Sequence, residues 1–404
     1  MAVVQGEGHF AQAPRFGDHG RRRAADLPSH RVRRGAPRHG RGARYLGAAR
    51  DSRAHGDGRP APGAGTVSVR RPKALLAYAP ERNPDTFAPD QSARLGALLE
   101  LVRPEPVRAF SPDGVADALR EAEVLVTGWG APTVDAAVLD AAPRLKLIAH
   151  LAGSVKAIVD PSVFARGIAV VNAADANALP VAEYTLAAIL FANKRVLTLR
   201  DVYRRERRSL KPLRDHAPGL GNYRKTIGIV GASRIGRRVL ALLAPFDFEV
   251  LLYDPYAGAD EARALGARAA DLDALVAASD VVSLHAPAIP ATRHMLDRRR
   301  LALMRNGATL INTARPALID QDALIDELRS GRIDAVLDVT EPEPLPPYSP
   351  LYDLPNVVLT PHCAGAVGTE VQRLSALVLD ELERYGRGEP LRYALRADEW
   401  ERQA

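Results

Sequence analysis

Arginine, glutamate and histidine side chains, which can take part in binding and acid–base chemistry, follow three apolar runs in the last quarter of the 404-residue chain. Arg315 comes after "TLINTA", Glu341 and Glu343 lie in a proline-punctuated loop after "DAVLDV", and His362 ends "NVVLTPH". An arginine can clamp a carboxylate with two parallel hydrogen bonds. A histidine can take a hydroxyl proton near neutral pH, and an acid beside it fixes its tautomer and basicity. Together these residue types indicate a site that binds a carboxylate and moves a proton.

A glycine-rich stretch, "GIVGASRIGRR", lies upstream of these residues. It follows an apolar run and leads into a helix-like pattern, which is the context of a dinucleotide-binding fingerprint. Gly231 would allow the tight turn, and Gly236 would let the helix pack closely on the strand. Ser233 stands where the backbone approaches a pyrophosphate. Its side chain takes up room but adds a hydroxyl donor, and the helix N-terminus still offers N–H groups to an anion.

A carboxylate ends the next apolar run. Asp254 closes "FEVLLYD", 23 residues beyond Gly231. An acid at about this spacing accepts hydrogen bonds from the adenine ribose hydroxyls and repels a 2′-phosphate. The sequence therefore predicts NAD rather than NADP as the cofactor. The alternative at this point is a glycine turn in an α/β protein that binds no nucleotide.

Strands alternating with helices must position these residues. One set of short apolar runs begins at Lys73, and a second set begins at Thr226. Nearly continuous Val, Ile and Leu in such runs is typical of parallel strands covered on both faces. The pattern predicts two parallel-sheet α/β domains with ligands at the carboxyl ends of the strands. We also expect one long helix over residues 181–205, beginning after Pro180.

Positive charge is concentrated at the start of the chain. Residues 1–66 hold 13 arginines and 5 acidic residues, a net of +8, whereas the remaining 42 basic and 43 acidic residues give −1. The first segment lacks hydrophobic periodicity, so we expect a leader that is disordered or translated from a misplaced start, with the true start near Val67 or Val69. The neutral remainder argues against a nucleic-acid partner.

The composition also bears on membranes, metals and compartment. No apolar run reaches the roughly 18 residues that a membrane-spanning helix needs, and no secretory signal is evident. Cys363 is the only cysteine, which excludes an internal disulfide and a cysteine-based zinc site. We therefore expect a cytoplasmic protein without a metal and without a membrane partner.

The region from about residue 73 to the end resembles the D-2-hydroxyacid dehydrogenase family. The resemblance rests on "GASRIGR", "LYDP", "SLHAP", "INTARPALID", "LDVTEPEPLP" and "TPHCAG", which match in order and spacing. It implies a Rossmann-type nucleotide domain, residues 174–364, inserted in a flavodoxin-like substrate domain made of residues 73–173 and 365–400. It also implies hydride transfer between nicotinamide and C2 of a small D-2-hydroxy acid, and a homodimer.

The resemblance gives each motif residue a task. Arg315 would bind the substrate carboxylate and polarise its 2-oxo group. His362 would be the acid/base on the C2 oxygen, with Glu343, rather than Glu341, as its partner. The residues expected to contact the cofactor, with Asp338 at the nicotinamide carboxamide, are Gly231, Ser233, Arg234, Ile235, Gly236, Asp254, Ala286, Thr313, Ala314 and Asp338.

A small-residue loop is expected to define the substrate. Gly153, Ser154 and Val155 resemble the family's loop whose amides hold the substrate carboxylate. Ser154 and Lys156 stand where many members have "GVD", so the resemblance leaves the identity of the 2-hydroxy acid open. One alternative is a glyoxylate or hydroxypyruvate reductase. Another is an NAD-sensing binding protein, because some relatives of this fold serve as transcriptional corepressors.

Overall fold

The computed structural model describes residues 70–82, 85–110, 112–208 and 219–402. The leader expected over residues 1–66 lies outside the described residues. Within them the chain forms two sheets, and each named strand runs parallel to its neighbours. The predicted fold class, two parallel sheets in an α/β arrangement, is confirmed.

The first sheet has five strands: β1 (Lys73–Ala77), β2 (Glu100–Leu101), β3 (Val124–Thr127), β4 (Leu147–His150) and β5 (Ala169–Asn172). They lie in the order β2-β1-β3-β4-β5. The four longer strands are buried along nearly their whole length, as expected for strands covered on both faces. Their last residues, Thr127, His150 and Asn172 among them, stand side by side at the carboxyl edge.

The second sheet has seven strands: β6 (Thr226–Val230), β7 (Glu249–Tyr253), β8 (Arg268–Ala269), β9 (Val281–Leu284), β10 (Thr309–Asn312), β11 (Asp334–Leu337) and β12 (Val357–Leu359). They lie in the order β12-β11-β10-β9-β6-β7-β8. The strand order reverses between β6 and β9, which is where parallel sheets open a crevice for ligands. The edge strand β12 is only half-buried.

Eleven helices connect or cover these strands in the described part of the chain: α1 (Pro89–Leu98), α2 (Pro112–Glu121), α3 (Ala136–Ala141), α4 (Ala174–Asn193), α5 (Val196–Glu206), α6 (Arg234–Leu243), α7 (Ala259–Ala264), α8 (Leu272–Ala278), α9 (Arg298–Leu303), α10 (Gln321–Arg329) and α11 (Val371–Arg387). The last of them returns to the first sheet. Leu374, Val378 and Leu382, at i, i+4 and i+8, are buried in the same apolar cluster as side chains of β1 and β3. No described helix is both long and apolar enough to cross a bilayer.

The expected start of the long helix, after Pro180, is wrong. Helix α4 begins at Ala174, whose N–H donates to Oδ1 of Asn172 at 3.2 Å. This side-chain acceptor satisfies an amide that the helix itself leaves unpaired. Pro180 therefore lies inside the helix, where its ring removes one N–H···O bond. Buried neighbours on the same helix, including Val181 and Ile189, offset that loss.

The expected continuity through residue 205 is also wrong. Arg195 adopts a left-handed backbone with φ of +46°, which an α-helix of L-residues cannot contain. Its guanidinium donates to Oδ2 of Asp334 at 2.9 Å and so ties the break to β11. A separate helix, α5, therefore begins after Arg195. The sequence pattern also does not predict the two-residue strands β2 and β8.

Candidate active site

The turn between β6 and α6 has no room for side chains at its two glycines. Gly231 has a φ of +103°, and a Cβ there would lie 2.7 Å from the backbone N of Ala286. A Cβ on Gly236 would lie 2.0 Å from the carbonyl oxygen of Gly231. Both clashes are with backbone, so these positions require glycine. The close approach brings the N-terminus of α6 to the carboxyl ends of β6 and β9.

Ser233 is the N-cap residue of α6. Its Oγ accepts a hydrogen bond from the N–H of Gly236 at 3.3 Å. Serine is among the best N-cap residues, and its replacement by alanine typically costs about 1 kcal/mol. Because the oxygen accepts that bond, the hydroxyl hydrogen stays available to donate to an anion at the helix N-terminus. The serine that interrupts the glycine pattern is therefore compatible with a pyrophosphate at this turn.

Asp254, just after β7, stabilises the turn between β6 and α6 through hydrogen bonds. Its Oδ2 accepts from the N–H of Ala232 at 2.7 Å, and its Oδ1 accepts from the N–H of Tyr256 at 2.8 Å. Each carboxylate oxygen can accept a further hydrogen bond. The group therefore fixes the turn and remains an acceptor for ribose hydroxyls.

A cavity of about 960 Å³ opens over this turn. Four arginines lie in its wall: Arg234, Arg237, Arg293 and Arg300. The helix N-terminus and these cations suit a pyrophosphate, and the carboxylate of Asp254 suits a ribose, so the residues present fit NAD. The cofactor residues expected from the sequence that line this cavity are Gly231, Ser233, Arg234, Asp254 and Ala286.

The other expected cofactor residues do not line this cavity. Ile235 and Gly236 lie in the first turn of α6. Thr313 and Ala314 follow β10, and Asp338 follows β11, on the far side of the strand-order reversal. In the described residues no three His, Cys, Asp or Glu side chains converge as metal ligands.

Arg315 extends from the turn after β10. Asn312 shapes that turn, because its Oδ1 accepts from the N–H of Ala314 at 3.0 Å and its Nδ2 donates to the carbonyl of Arg315 at 2.9 Å. Burial lowers the pKa of the Arg315 guanidinium from its usual value, and the negative charge of Glu343 opposes that shift. Among the described residues only the Ala314 carbonyl accepts from Arg315, at 2.7 Å. The guanidinium thus has N–H groups left for a carboxylate.

His362 and Glu343 form a hydrogen-bonded pair. The Nδ1 atom of His362 lies 2.9 Å from Oε1 and 3.2 Å from Oε2 of Glu343. An ionised carboxylate only accepts, so Nδ1 carries the proton and Nε2 presents a lone pair. The histidine side chain is 51% exposed, which makes it accessible to a solute. Glu341 is placed elsewhere, with its backbone paired to the side-chain amide of Gln321.

Asp338 is only 2% exposed, and its carboxylate faces the turn that carries His362. Oδ1 accepts from Oγ1 of Thr360 at 2.6 Å and from the N–H of Cys363 at 2.9 Å, and Oδ2 accepts from the N–H of Ala364 at 2.9 Å. The N–H of His362 donates to the Asp338 carbonyl at 3.0 Å. These bonds hold His362 at a φ of +53°, a left-handed backbone. These contacts of Asp338 are with protein groups, and its expected contact with nicotinamide stays a prediction.

The expected substrate loop follows β4 in the other sheet. Val155 is buried in the core, while Gly153 and Ser154 are half-buried. His150 lies at the base of the loop, with Nδ1 2.9 Å from Oγ1 of Thr127 and a further hydrogen bond to the Ser154 backbone. Burial lowers the pKa of His150 to about 4. The ring is therefore neutral near pH 7 and acts as a support for the loop.

Three polar residues of α4 that the sequence analysis missed contact the loops and turns that carry the proposed site residues. Oδ1 of Asn177 accepts from the N–H of Ala366 at 2.8 Å. The hydroxyl of Tyr184 lies 2.8 Å from Oγ1 of Thr360, and Thr185 Oγ1 lies 3.1 Å from Thr313 Oγ1. Their signal was present in the sequence, since i, i+7 and i+8 share one helix face and the rest of the helix is largely apolar.

Comparison with known proteins assigns a family to this architecture. Residues 186–364 match the family model described as "D-isomer specific 2-hydroxyacid dehydrogenase, NAD binding domain". D-3-phosphoglycerate dehydrogenase from Methanocaldococcus jannaschii is 34% identical over 295 residues, which are 72% of this chain and 55% of that protein. Glyoxylate reductase from Korarchaeum cryptofilum is 35% identical over 279 residues, 68% of this chain and 83% of that protein.

The fold comparison agrees with the sequence comparison. A crystal structure of a phosphoglycerate oxidoreductase from Rhizobium etli aligns with a TM-score of 0.67 and 27% identity, over 81% of this chain and 98% of that one. The chain spans about half the length of the phosphoglycerate dehydrogenases that it matches, 55% for the protein from M. jannaschii.

Proposed function

The chain belongs to the D-isomer specific 2-hydroxyacid dehydrogenase family, and from this premise we propose that it is an NAD-dependent oxidoreductase of small D-2-hydroxy acids and their 2-oxo counterparts. The observation that carries the proposal is the pair of Glu343 and His362, with 2.9 Å between Oε1 and Nδ1. A base oriented in this way is what removal of a hydroxyl proton requires. A protein that only binds the nucleotide has no need of it.

His362 handles the proton in the proposed reaction. In oxidation its Nε2 accepts the proton of the C2 hydroxyl, and in reduction the same atom returns it to the C2 oxygen. Glu343 accepts from Nδ1 throughout and stabilises the imidazolium that forms. NAD, when bound, takes up or supplies the hydride at C4 of its nicotinamide.

Arg315 and the substrate loop orient the acid. The guanidinium binds the substrate carboxylate and polarises the 2-oxo group, because its planar fork matches two oxygens at once. The amides of Gly153, Ser154 and Val155 hold the same carboxylate from the other sheet. Fixing the acid in this way contributes to the rate by proximity.

The cofactor contacts are proposed in two groups. The first group surrounds the glycine turn, where the helix N-terminus faces the pyrophosphate and Asp254 accepts from the ribose. The second group stands near the nicotinamide end, with Asp338 at the carboxamide. The residues proposed are Gly231, Ser233, Arg234, Ile235, Gly236, Asp254, Ala286, Thr313, Ala314 and Asp338.

Two alternatives concern substrate and class. Relatives named D-3-phosphoglycerate dehydrogenase and glyoxylate reductase match at similar identities, 34% and 35%, so reduction of glyoxylate or hydroxypyruvate is a candidate activity. A panel of glyoxylate, hydroxypyruvate, phosphohydroxypyruvate and pyruvate, with the rate of NADH oxidation measured for each, ranks these substrates by kcat/KM. NADH binding without turnover on any member of the panel would instead favour an NAD-sensing protein.

The division into domains is also proposed. The first sheet together with α11 supports a substrate domain of residues 73–173 and 365–400, and the second sheet supports a nucleotide domain over residues 174–364. We also propose a cytoplasmic enzyme, since a chain with one cysteine needs no oxidising compartment. Separate expression of residues 174–364, followed by NADH titration, tests the proposed nucleotide domain.

A homodimer is proposed on the face formed by α4, α5 and the edge strand β12. A groove of about 450 Å³ lies there, lined by Ala187, Phe191, Val357 and Leu359 among others. Phe191 is 54% exposed and belongs to this apolar lining, and a contiguous apolar surface of this kind is typical of a protein–protein interface. Light scattering of the full chain, compared with Phe191→Glu, tests the dimer; a monomeric mass for the unaltered chain overturns it.

A further inference from the structure

Two adjacent residues of α4 contact the two turns that carry the proposed catalytic residues, the turn with His362 and the turn with Arg315. Tyr184 contacts Thr360, which stands two residues before His362. Thr185 contacts Thr313, which stands two residues before Arg315. The two target strands, β12 and β10, are not neighbours, because β11 lies between them in the sheet.

The contact of Tyr184 has a defined direction. Oγ1 of Thr360 donates to the carboxylate of Asp338 at 2.6 Å, and a carboxylate can only accept. The single hydrogen of Thr360 is used there, so the bond of 2.8 Å to Tyr184 is donated by the tyrosine. The carboxylate that receives this chain of bonds also binds the N–H groups of Cys363 and Ala364, on the C-terminal side of His362.

The contact of Thr185 is enclosed. Its side chain has no exposed surface, and Thr313 is 6% exposed. A threonine inside a helix can satisfy its hydroxyl on the carbonyl four residues earlier, so burial alone does not require a partner on another element. The bond of 3.1 Å to Thr313 instead joins the helix to the turn from which Arg315 extends.

We propose that Tyr184 and Thr185 are positioning residues that set the distance between His362 and Arg315 through one rigid helix. Neither side chain touches the substrate. The hydroxyl of Tyr184 acts through Thr360 and Asp338 on the histidine turn, and the hydroxyl of Thr185 acts through Thr313 on the arginine turn. The inference rests on the proposed dehydrogenase function, since it assigns these residues to the same reaction.

The same helix extends this arrangement toward the substrate loop. Asn177, seven residues before Tyr184, lies on the same face, and its Nδ2 would be 3.5 Å from a Cβ placed on Gly153. Its Oδ1 binds the N–H of Ala366 at 2.8 Å. One face of α4 therefore contacts the substrate loop, the turn that carries Arg315 and the turn that carries His362. In the proposed function all three contact the same small acid.

Tyr184→Phe and Thr185→Val remove one hydroxyl each and test the proposal. Because a displacement on the order of 1 Å can cost about 10²-fold in rate, we expect Tyr184→Phe to lower kcat by about tenfold with KM changed less. We expect Thr185→Val to raise KM for the 2-oxo acid by about tenfold, since Arg315 binds the carboxylate. Thr185→Ser, which keeps the hydroxyl, should restore KM to within about twofold.

The controls separate positioning from stability and from the proposed function. Glu183→Gln alters the neighbouring exposed residue and should leave both parameters unchanged. The dissociation constant of NADH should stay within about twofold in all variants. If Thr185→Val does not fold, Thr185→Cys of similar volume replaces it. Loss of thermal stability with kcat and KM both unchanged would overturn the proposal and leave the dehydrogenase assignment intact.

A readout without turnover completes the test. Crystal structures of the variants and of the unaltered chain give the separation between Cζ of Arg315 and Nε2 of His362. We expect this separation to change in Tyr184→Phe and in Thr185→Val but not in Thr185→Ser. An unchanged separation in both would overturn the inference, even if the unaltered chain reduced no 2-oxo acid and the proposed function had failed.

Discussion

Two carboxylates with different surroundings orient one histidine: Glu343 accepts from Nδ1 of His362 at 2.9 Å, while Asp338 holds the main chain of the same turn. Glu343 is 42% exposed and acts on the ring. Asp338 is buried and acts on the amides that follow the histidine. The position of the base and its tautomer are therefore set independently of each other.

Replacement of His362 by asparagine should remove the chemical step. Asparagine tolerates a left-handed backbone, so the turn is retained while the base is lost. We expect kcat/KM for the best 2-oxo acid to fall by about 10²–10⁴-fold, the usual contribution of a general acid–base. NADH affinity, measured by fluorescence titration, should be unchanged. Glu341→Gln is the matched control, and more than a tenth of the original activity in His362→Asn would contradict the assignment.

Replacement of Arg315 by lysine keeps the charge but loses the planar fork. We expect KM for the 2-oxo acid to rise and kcat/KM to fall by about 10²-fold, because one bidentate contact is lost. Arg293→Lys, in the cavity over the glycine turn, is the comparison variant and should affect NADH binding rather than the KM of the acid. Equal effects of the two substitutions on that KM would argue against Arg315 as the carboxylate ligand.

Replacement of Asp338 by asparagine puts an NH₂ group against backbone donors. At least one of the amides at Cys363 and Ala364 would lose its acceptor, which costs roughly 1–3 kcal/mol. We expect urea unfolding to show this loss and kcat to fall with it. Asp353→Asn, the same substitution at an exposed position, should change neither stability nor kcat. Full activity and full stability in Asp338→Asn would show that the turn does not depend on this carboxylate.

Replacement of Ser233 separates its capping task from its proposed phosphate contact. Ser233→Ala should lose about 1 kcal/mol of stability, whereas Ser233→Gly should lose only a few tenths. Both remove a donor to a charged group, and we expect NADH to bind about tenfold more weakly. Gly236→Ala should bind none, because its Cβ would meet the Gly231 carbonyl. Tighter NADH binding by Ser233→Gly would mean that the hydroxyl only obstructs the pyrophosphate.

Acid should destabilise the protein through two buried histidines. Burial lowers the pKa of His150 to about 4 and that of His285 to about 3. Histidines in the unfolded chain have a pKa of about 6.5. Below that pH the unfolded state binds more protons than the folded state, so stability falls as pH falls. Each ring should account for roughly 3 kcal/mol between about pH 6.5 and 4.

Urea unfolding at several pH values measures this loss. His150→Gln removes one of the two titrating rings and should make the fall in stability with acid shallower, with the largest difference near pH 4. A pH dependence identical to that of the unaltered chain would mean that His150 is accessible to protons in the folded state.

The strand framework could be predicted because its signal is local. Runs such as "TIGIV" and "TLIN" are apolar throughout, and such runs form parallel strands whose carboxyl ends meet at one edge. The candidate positions of Arg315 and His362 followed directly, since each comes just after such a run. The glycines of the turn were equally local, because their requirement arises from backbone crowding within a few residues and one neighbouring strand.

The remaining features depend on partners distant in sequence. The break after α4 is tied to Asp334, 139 residues beyond Arg195. The contacts of Asp338 with the turn at His362 join residues 22 to 26 apart. The polar face of α4 carried a readable spacing, but nothing local says what those hydroxyls meet.

The left-handed backbone of His362 gives the proposed chemistry a thermodynamic cost. At a φ of +53° a β-carbon is disfavoured by about 1 kcal/mol relative to glycine. Glycine at this position would lower the conformational free energy of the turn, whereas histidine supplies the group that transfers the proton. At this one residue, selection for stability and selection for turnover point to different amino acids, and the chain has the one that favours turnover.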